Sequence, residues 1–118
     1  MKGKYVQSGE YLDYANSSGS KIAAMTLLFI GTIAGIAATD ISDGETGAVA
    51  TKGVYSLDKD GAEITAGAKV YYDAANDRIT ASADNGESGD DLVNYAYTGV
   101  AIAAAAATDS TVLVRLNY

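Results

Sequence analysis

Residues 36–57 read I-A-A-T-D-I-S-D-G-E-T-G-A-V-A-T-K-G-V-Y-S-L, two apolar runs on either side of a glycine-rich, acidic turn. Asp43-Gly44 and Thr46-Gly47 accept tight turns, because glycine has no Cβ to clash at positive φ and an aspartate side chain can bond the backbone beyond it. After the turn, polarity alternates every two residues as far as Tyr55, as in strands whose faces differ. The pattern predicts β-structure held by turns, with Asp43, Gly44 and Gly47 as structural turn residues.

Length and composition narrow the class further. A chain of 118 residues suits one domain with one modest core. Cysteine, histidine, tryptophan and proline are absent, which removes disulfides and the usual ligands of zinc, copper and haem. The two commonest side chains for nucleophilic and general-base work near neutral pH are missing as well. We therefore expect no cofactor, no metal and no enzymatic activity.

The charge balance argues against nucleic acid as a partner. The chain has 8 basic and 15 acidic residues, a net charge of −7, whereas binding to a phosphate backbone depends on clustered lysine and arginine. Lys2 and Lys4 lead into polar residues instead of the apolar core of a signal peptide. We expect the protein to stay in the cytoplasm of the cell that makes it, at least until an assembly carries it out.

The first sixteen residues are predicted to form an extended arm, followed by one β-domain over residues 17–118. Aromatic and β-branched residues alternate with polar ones over residues 4–7 and 10–16, with a turn at Ser8-Gly9 between them. The arm can be read as an edge strand of the protein's own sheet or as a strand donated to a partner, and the sequence leaves both readings open.

Residues 22–39 carry no charge and contain Gly31 and Gly35 at a G-x-x-x-G spacing, so the stretch must be tested as a membrane span. A span needs roughly 20 strongly apolar residues, whereas this run is diluted by alanine, glycine and threonine and ends at Asp40. We predict two strands over residues 25–30 and 33–38 that turn near Gly31, and no membrane partner.

The second half of the chain also alternates in polarity. Residues 56–82 indicate a β-meander with a turn around Asn76-Asp77, and residues 111–118 indicate a closing strand with Val112, Val114 and Leu116 on one face. The alanine-rich residues 101–107 are too few for a stable isolated helix, which needs roughly 12, and are predicted to be strand or irregular.

The sequence contains almost no motif typical of a catalytic, metal-binding or nucleotide-binding site. Residues 84–91 are acidic, but they lack the D-x-[DN]-x-[DN]-G order and the trailing glutamate of a helix-flanked calcium loop, so a solvated loop is the better interpretation. The phosphate-binding G-x-x-x-x-G-K-[ST] pattern is absent from the sequence. Acid pairs such as Asp90-Asp91 lie in glycine-rich segments, where carboxylates usually only keep a loop in water.

Five segments, in order, carry a family resemblance. They are K-Y-V-Q-x-G-x-Y-L-D-Y at 4–14, I-A-x-x-D-I-x-x-G-E-x-G at 36–47, G-V-Y-x-L-x-K at 53–59, A-G-A-K-V-Y-Y-D at 66–73 and T-V-L-V-R-L at 111–116. Together they resemble the capsid cement, or head decoration, proteins of phages and prophages, a family formerly described only as a domain of unknown function and sometimes labelled recombinase-like. The chain departs from many relatives at Asp58, where they have proline, and in a longer stretch over residues 88–97. Without a phosphate loop, the recombinase label does not carry over.

The resemblance implies an all-β protein, a small β-barrel or β-sandwich, that binds the outer surface of a phage head as a homotrimer between capsomers. Its partners would be the major capsid protein and other copies of itself. The arm residues expected to contact the capsid or a neighbouring subunit are Lys2, Lys4, Tyr5, Val6, Gln7, Tyr11, Leu12 and Tyr14. Two alternatives stay open, another small structural virion subunit of the tail or a head fibre, and a holin-like membrane protein with residues 22–39 as a helix.

Overall fold

The computed structural model describes residues 1–4 and 10–118, and within them the chain forms nine β-strands and one short 3₁₀ helix. The all-β class predicted from the sequence is confirmed. The strands are β1 (Tyr11–Ala15), β2 (Leu27–Ile30), β3 (Ile33–Ala37), β4 (Thr46–Ala50), β5 (Val54–Asp58), β6 (Lys69–Asp73), β7 (Arg78–Thr80), β8 (Ala96–Ala101) and β9 (Thr111–Leu116).

The described chain divides into two compact units, one of Met1–Leu28 with Gly35–Lys52 and one of Phe29–Ala34 with Gly53–Tyr118. The strands β1 to β4 form an antiparallel sheet in the order β1-β4-β3-β2, which places β1 at an edge. All five residues of β1 pair with β4, from Tyr11 opposite Ala50 to Ala15 opposite Thr46. The division into an arm of residues 1–16 and a domain of residues 17–118 stays a prediction.

The uncharged stretch of residues 22–39 contains the hairpin of β2 and β3, as predicted. Gly31 sits in the two-residue turn between them with a φ of 61°, a left-handed conformation that glycine adopts without steric cost. Among the residues described, no helix is long and apolar enough to cross a membrane.

The central turn is a β-turn closed by the Glu45 N–H, which donates to the Ser42 carbonyl at 3.0 Å. Gly44 takes a φ of 83° there, the conformation for which the Asp-Gly pair was singled out. Gly47, expected to be a turn residue, lies instead one residue inside β4, where a Cβ on it would come within 2.5 Å of Ile41. Its role is therefore to make room for the fully buried Ile41 side chain.

The strands β5 to β9 form a second sheet, in the order β5-β9-β8-β6-β7. The predicted β-meander is right for β6 and β7, which pair around the Asn76-Asp77 turn, and wrong for β5, which pairs with β9 along its whole length. The two outer strands also meet, because Lys59 and Ile79 form a parallel bridge and the Asp60 N–H donates to the Ile79 carbonyl at 2.9 Å. This sheet therefore curls until its edges touch, as in a small barrel.

The closing strand has the predicted facing. Val112, Val114 and Leu116 are buried, while the residues between them are exposed. The alanine-rich stretch is irregular after β8 ends, apart from a bridge between Ala105 and Ile64. The prediction of strand or irregular structure for residues 101–107 is confirmed.

The second unit buries a lysine side chain. Lys59 is 8% exposed, and its ammonium donates to the main-chain carbonyls of Asp60, Ala106 and Asp109 at 2.8, 2.9 and 3.2 Å. A buried ammonium that gives its three protons to carbonyls satisfies its hydrogen-bonding capacity. Lys59 thus ties the loop before β9 to the end of β5.

Candidate interaction edge

The strand β1 has one edge bonded to β4 and one edge that no described strand covers. The Glu10 carbonyl accepts from the Thr51 N–H at 2.8 Å, and the Asn16 N–H donates to the Glu45 carbonyl at the same distance. Because the backbone groups of successive strand residues point to alternate sides, even-numbered residues of β1 direct their N–H and C=O groups toward β4.

The odd-numbered residues, Tyr11, Asp13 and Ala15, therefore direct their backbone groups away from β4. They present three N–H and three C=O groups in an extended row, a template on which another strand can pair. Within the part of the chain that the structure describes, this row is the open edge of β1. We refer to these three residues as the open edge.

The side chains of β1 divide between the two faces of the sheet. Tyr11 is 56% exposed, while Leu12 and Tyr14 are half-buried on the opposite face. Tyr14 stands directly opposite Gly47 of β4, which has no side chain to compete for space. Of the two tyrosines on β1, Tyr11 thus projects well into solvent beside the open edge, whereas Tyr14 lies on the other face.

The remaining arm residues of the predicted contact set precede β1. Lys2 and Lys4 are exposed. Tyr5, Val6 and Gln7 lie outside the described residues. The structure thus brings Tyr11, Leu12 and Tyr14 together on one strand, with two exposed lysines upstream in sequence.

Asn16, which sequence reasoning missed, fixes the end of β1 to the central turn. Its side chain is 1% exposed, and Nδ2 donates to the carbonyls of Ser20 and Ile41 at 2.7 and 2.9 Å. Its Oδ1 accepts from the N–H and the hydroxyl of Ser18. The sequence signalled this role only by placing an asparagine before a serine-rich turn. Asparagine side chains often hydrogen-bond nearby backbone groups.

The loop that follows is braced by a second polar contact. The Ala24 N–H donates to the Asp40 carboxylate at 2.7 Å, and Lys21 lies 3.4 Å from the same carboxylate. The backbone hydrogen bond, followed by the lysine, lowers the pKa of Asp40 below its ordinary value. These contacts order the loop. They are solvent-exposed, and this structural role accounts for them without a catalytic role for Asp40.

Two hollows on the surface of the second unit each enclose about 310 Å³. One is apolar and lies beside Phe29, Tyr72, Val93 and Tyr95, with the rings of Phe29 and Tyr72 5.8 Å apart. The other is polar and holds the buried Asp73, which accepts from Asn76 at 2.8 Å.

In the polar hollow, the bond from Asn76 lowers the pKa of Asp73, and Arg78 adds to the effect from 3.6 Å. These partners are structural, since they tie Asp73 to the turn between β6 and β7. No group of three potential metal ligands occurs among the described residues.

Comparison with known proteins identifies the family. The family model described as phage cement protein matches residues 6–116, which is most of the chain. No curated protein and no solved structure matches closely enough to count as a relative. Cement proteins are structural components that bind a phage capsid and are not a class of enzymes. The chain belongs to the phage cement protein family.

Proposed function

We propose that this cement protein binds the outer surface of a phage head between capsomers, as a homotrimer, and stabilises the head against the pressure of packaged DNA. Membership of the family supports binding to the capsid. Before assembly the protein resides in the host cytoplasm. Its direct partner on the head is the major capsid protein.

The observation that carries this proposal is the open edge of β1. Tyr11–Ala15 pairs with β4 of its own chain, so this segment is not itself donated to a partner. It instead offers an edge on which a strand of the major capsid protein can pair. Main-chain hydrogen bonds supply affinity in this mode, and side chains beside the edge supply specificity.

Side chains around the open edge extend the contact. Tyr11 is the exposed aromatic anchor on β1, and tyrosine is enriched among the residues that contribute most to binding at protein interfaces. The arm residues before β1 continue the interface along the partner. The proposed contact set remains Lys2, Lys4, Tyr5, Val6, Gln7, Tyr11, Leu12 and Tyr14.

The mechanical effect follows from valency. A trimer that bridges neighbouring capsomers adds three linked contacts, and all of them must break before the capsomers separate. Each contact can be weak, because linking converts the second and third binding events into intramolecular ones. Many modest interfaces over the shell would then resist outward pressure together.

Purified protein added to bare, expanded heads tests the proposal. We expect cryo-EM density on the outer surface at three-fold positions between capsomers. A protein that lacks residues 1–9 but keeps β1 should bind with lower occupancy, because the arm contacts are gone. Density on the tail or on a head fibre, with none between capsomers, would contradict the proposal and favour another structural virion role.

A further inference from the structure

An exposed sheet face in the second unit combines apolar and basic side chains. Residues directly opposite each other in a sheet point to the same face. Arg115 of β9 stands opposite Val54 of β5 and Val100 of β8, and Val100 stands opposite Lys69 of β6. We call this the basic-apolar face, and its members are Val54, Lys69, Val100, Ile102, Leu113 and Arg115.

This face is open in spite of its apolar character. Leu113 and Ile102 form the next row, since the Ile102 N–H donates to the Leu113 carbonyl at 3.1 Å, and they are 43% and 48% exposed. Arg115 is held in place by the Tyr118 ring, whose centre lies 4.1 Å from its guanidinium carbon. Asp58, opposite Thr111, carries an acidic charge further along the same face. Two cations among exposed aliphatic side chains are unusual on a chain with a net charge of −7.

A loop in the same unit has the opposite charge and a similar apolar content. Asp90 and Asp91 are exposed and are followed directly by Leu92 and Val93, which are 40% and 53% exposed. We call residues 90–93 the acidic-apolar loop. An acidic cluster alone would only solvate a loop, but here it adjoins two aliphatic side chains that water does not favour.

The acidic-apolar loop is held in a defined conformation by Asn85. Asn85 Oδ1 accepts from the N–H groups of Val93 and Glu87, both at 3.1 Å, and Nδ2 donates to the Asp91 carbonyl at 2.9 Å. The main chain adds a bond from the Asn85 N–H to the Val93 carbonyl at 3.1 Å. A loop that is already ordered loses little entropy when it binds.

The two surfaces cannot satisfy each other within one chain. The loop precedes β8, which starts at Ala96. Val100, with Arg115 opposite it on β9, lies near the other end of β8, about 13 Å from Ala96 at the rise of an extended chain. A second copy of this protein offers each surface a partner of the opposite charge.

We propose that the basic-apolar face of one copy binds the acidic-apolar loop of the next. Lys69 and Arg115 face Asp90 and Asp91, while Leu113 and Ile102 cover Leu92 and Val93. Two different patches make a heterologous contact, which forms a ring when the rotation closes. This inference rests on the proposed homotrimer and assigns its interface.

Charge reversal followed by rescue tests the assignment in solution, without heads. Sedimentation measures the self-association of the wild-type protein, of Lys69→Glu/Arg115→Glu, of Asp90→Lys/Asp91→Lys, and of the chain with all four changes. Each pair alone should weaken association at least about tenfold, the effect of losing close charge pairs at an interface. The fourfold variant should restore most of it, because the charges are again opposite. The control Glu45→Lys/Glu63→Lys makes the same charge change at exposed sites elsewhere and should associate more strongly than Asp90→Lys/Asp91→Lys.

Exposed apolar side chains give an independent test should a charge variant fail to fold by circular dichroism. Leu113→Ser and Val93→Ser should each weaken association several-fold. A monomeric wild-type protein, unchanged association in the Leu113 and Val93 variants, or no rescue in a folded fourfold variant would each overturn the assignment. Head binding by a monomer would refute the trimer and its interface but leave capsid binding standing, so failure of the interface and failure of capsid binding are distinguishable.

Discussion

The side-chain amide of Asn16 donates a hydrogen bond of 2.9 Å to the main-chain carbonyl of Ile41, across 25 positions of sequence. The same amide donates to the Ser20 carbonyl, and the Asn16 carbonyl accepts from the Gly44 N–H at 2.7 Å. One buried asparagine thus joins the end of β1 to the glycine turn before β4. The position of the open edge depends on this junction.

Asn16→Ala should lower the free energy of unfolding by about 3 kcal/mol, because it leaves buried main-chain carbonyls without their donor. Urea denaturation measures the loss. Asn94→Ala is the matched control, since Asn94 is exposed, and it should change stability by less than about 0.5 kcal/mol. Equal effects of the two substitutions would show that the Asn16 junction is not structural.

Gly99 should tolerate no side chain. A Cβ on Gly99 would run into the main-chain carbonyl of Arg115, and backbone in the middle of a sheet cannot move aside cheaply. We expect Gly99→Ala to cost more than about 3 kcal/mol or to prevent folding, as thermal unfolding would report. Gly61→Ala is the control, because nothing lies within 4 Å of its added Cβ. A Gly99 variant as stable as the Gly61 variant would contradict the close approach of β8 and β9.

The raised pKa of Tyr72 should lower the stability of the folded protein at alkaline pH. Partial burial, together with the hydrogen bond from its hydroxyl to Asp77 at 2.7 Å, raises the pKa of Tyr72 to about 12 from its ordinary value of 10.0. Between these two values the unfolded chain loses the proton that the folded chain still holds. The contribution of Tyr72 to stability therefore falls as the pH rises from 10 to 12, and it levels off above the folded pKa.

The Phe variant isolates this effect from the titration of other groups. From pH 10 to pH 12 the unfolding free energy of the wild type should fall relative to that of Tyr72→Phe. Above pH 12 the difference between the two should stay constant. Denaturant titrations of both proteins over this range provide the measurement. A difference that does not change with pH would show that Tyr72 ionises alike in the folded and unfolded chains.

Local sequence patterns predicted most of the strands, because alternation and glycine turns are local signals. The turn at Gly31, the turn at Gly44 and the inward face of Val112, Val114 and Leu116 follow from residues within a few positions of each other. The pairing of β5 with β9 cannot be predicted from local patterns, because it joins residues more than fifty positions apart and neither segment indicates which strand it pairs with. The meander interpretation failed at that point.

The candidate site could be predicted only in part from the sequence, for the same reason. Alternation over residues 10–16 predicted a strand and left open whether the chain's own sheet or a partner would receive it. Alternation alone places Tyr11 and Tyr14 on opposite faces of a strand, but which residues direct their backbone groups to the open edge depends on the pairing with β4. The burial of Asn16 and Lys59 likewise depends on distant carbonyls that no local pattern indicates.

Asp13 offers the most direct test of the claim that the open edge binds the capsid. Its N–H points away from β4, so Asp13→Pro removes an outward donor and leaves the bonds between β1 and β4 in place. Asp13→Ala is the matched control, because it removes the same carboxylate and keeps the N–H. The measurement is the occupancy of each folded variant on bare, expanded heads. We predict wild-type occupancy for Asp13→Ala and a loss of at least about tenfold in affinity for Asp13→Pro. Equal, full occupancy of both variants would contradict the account.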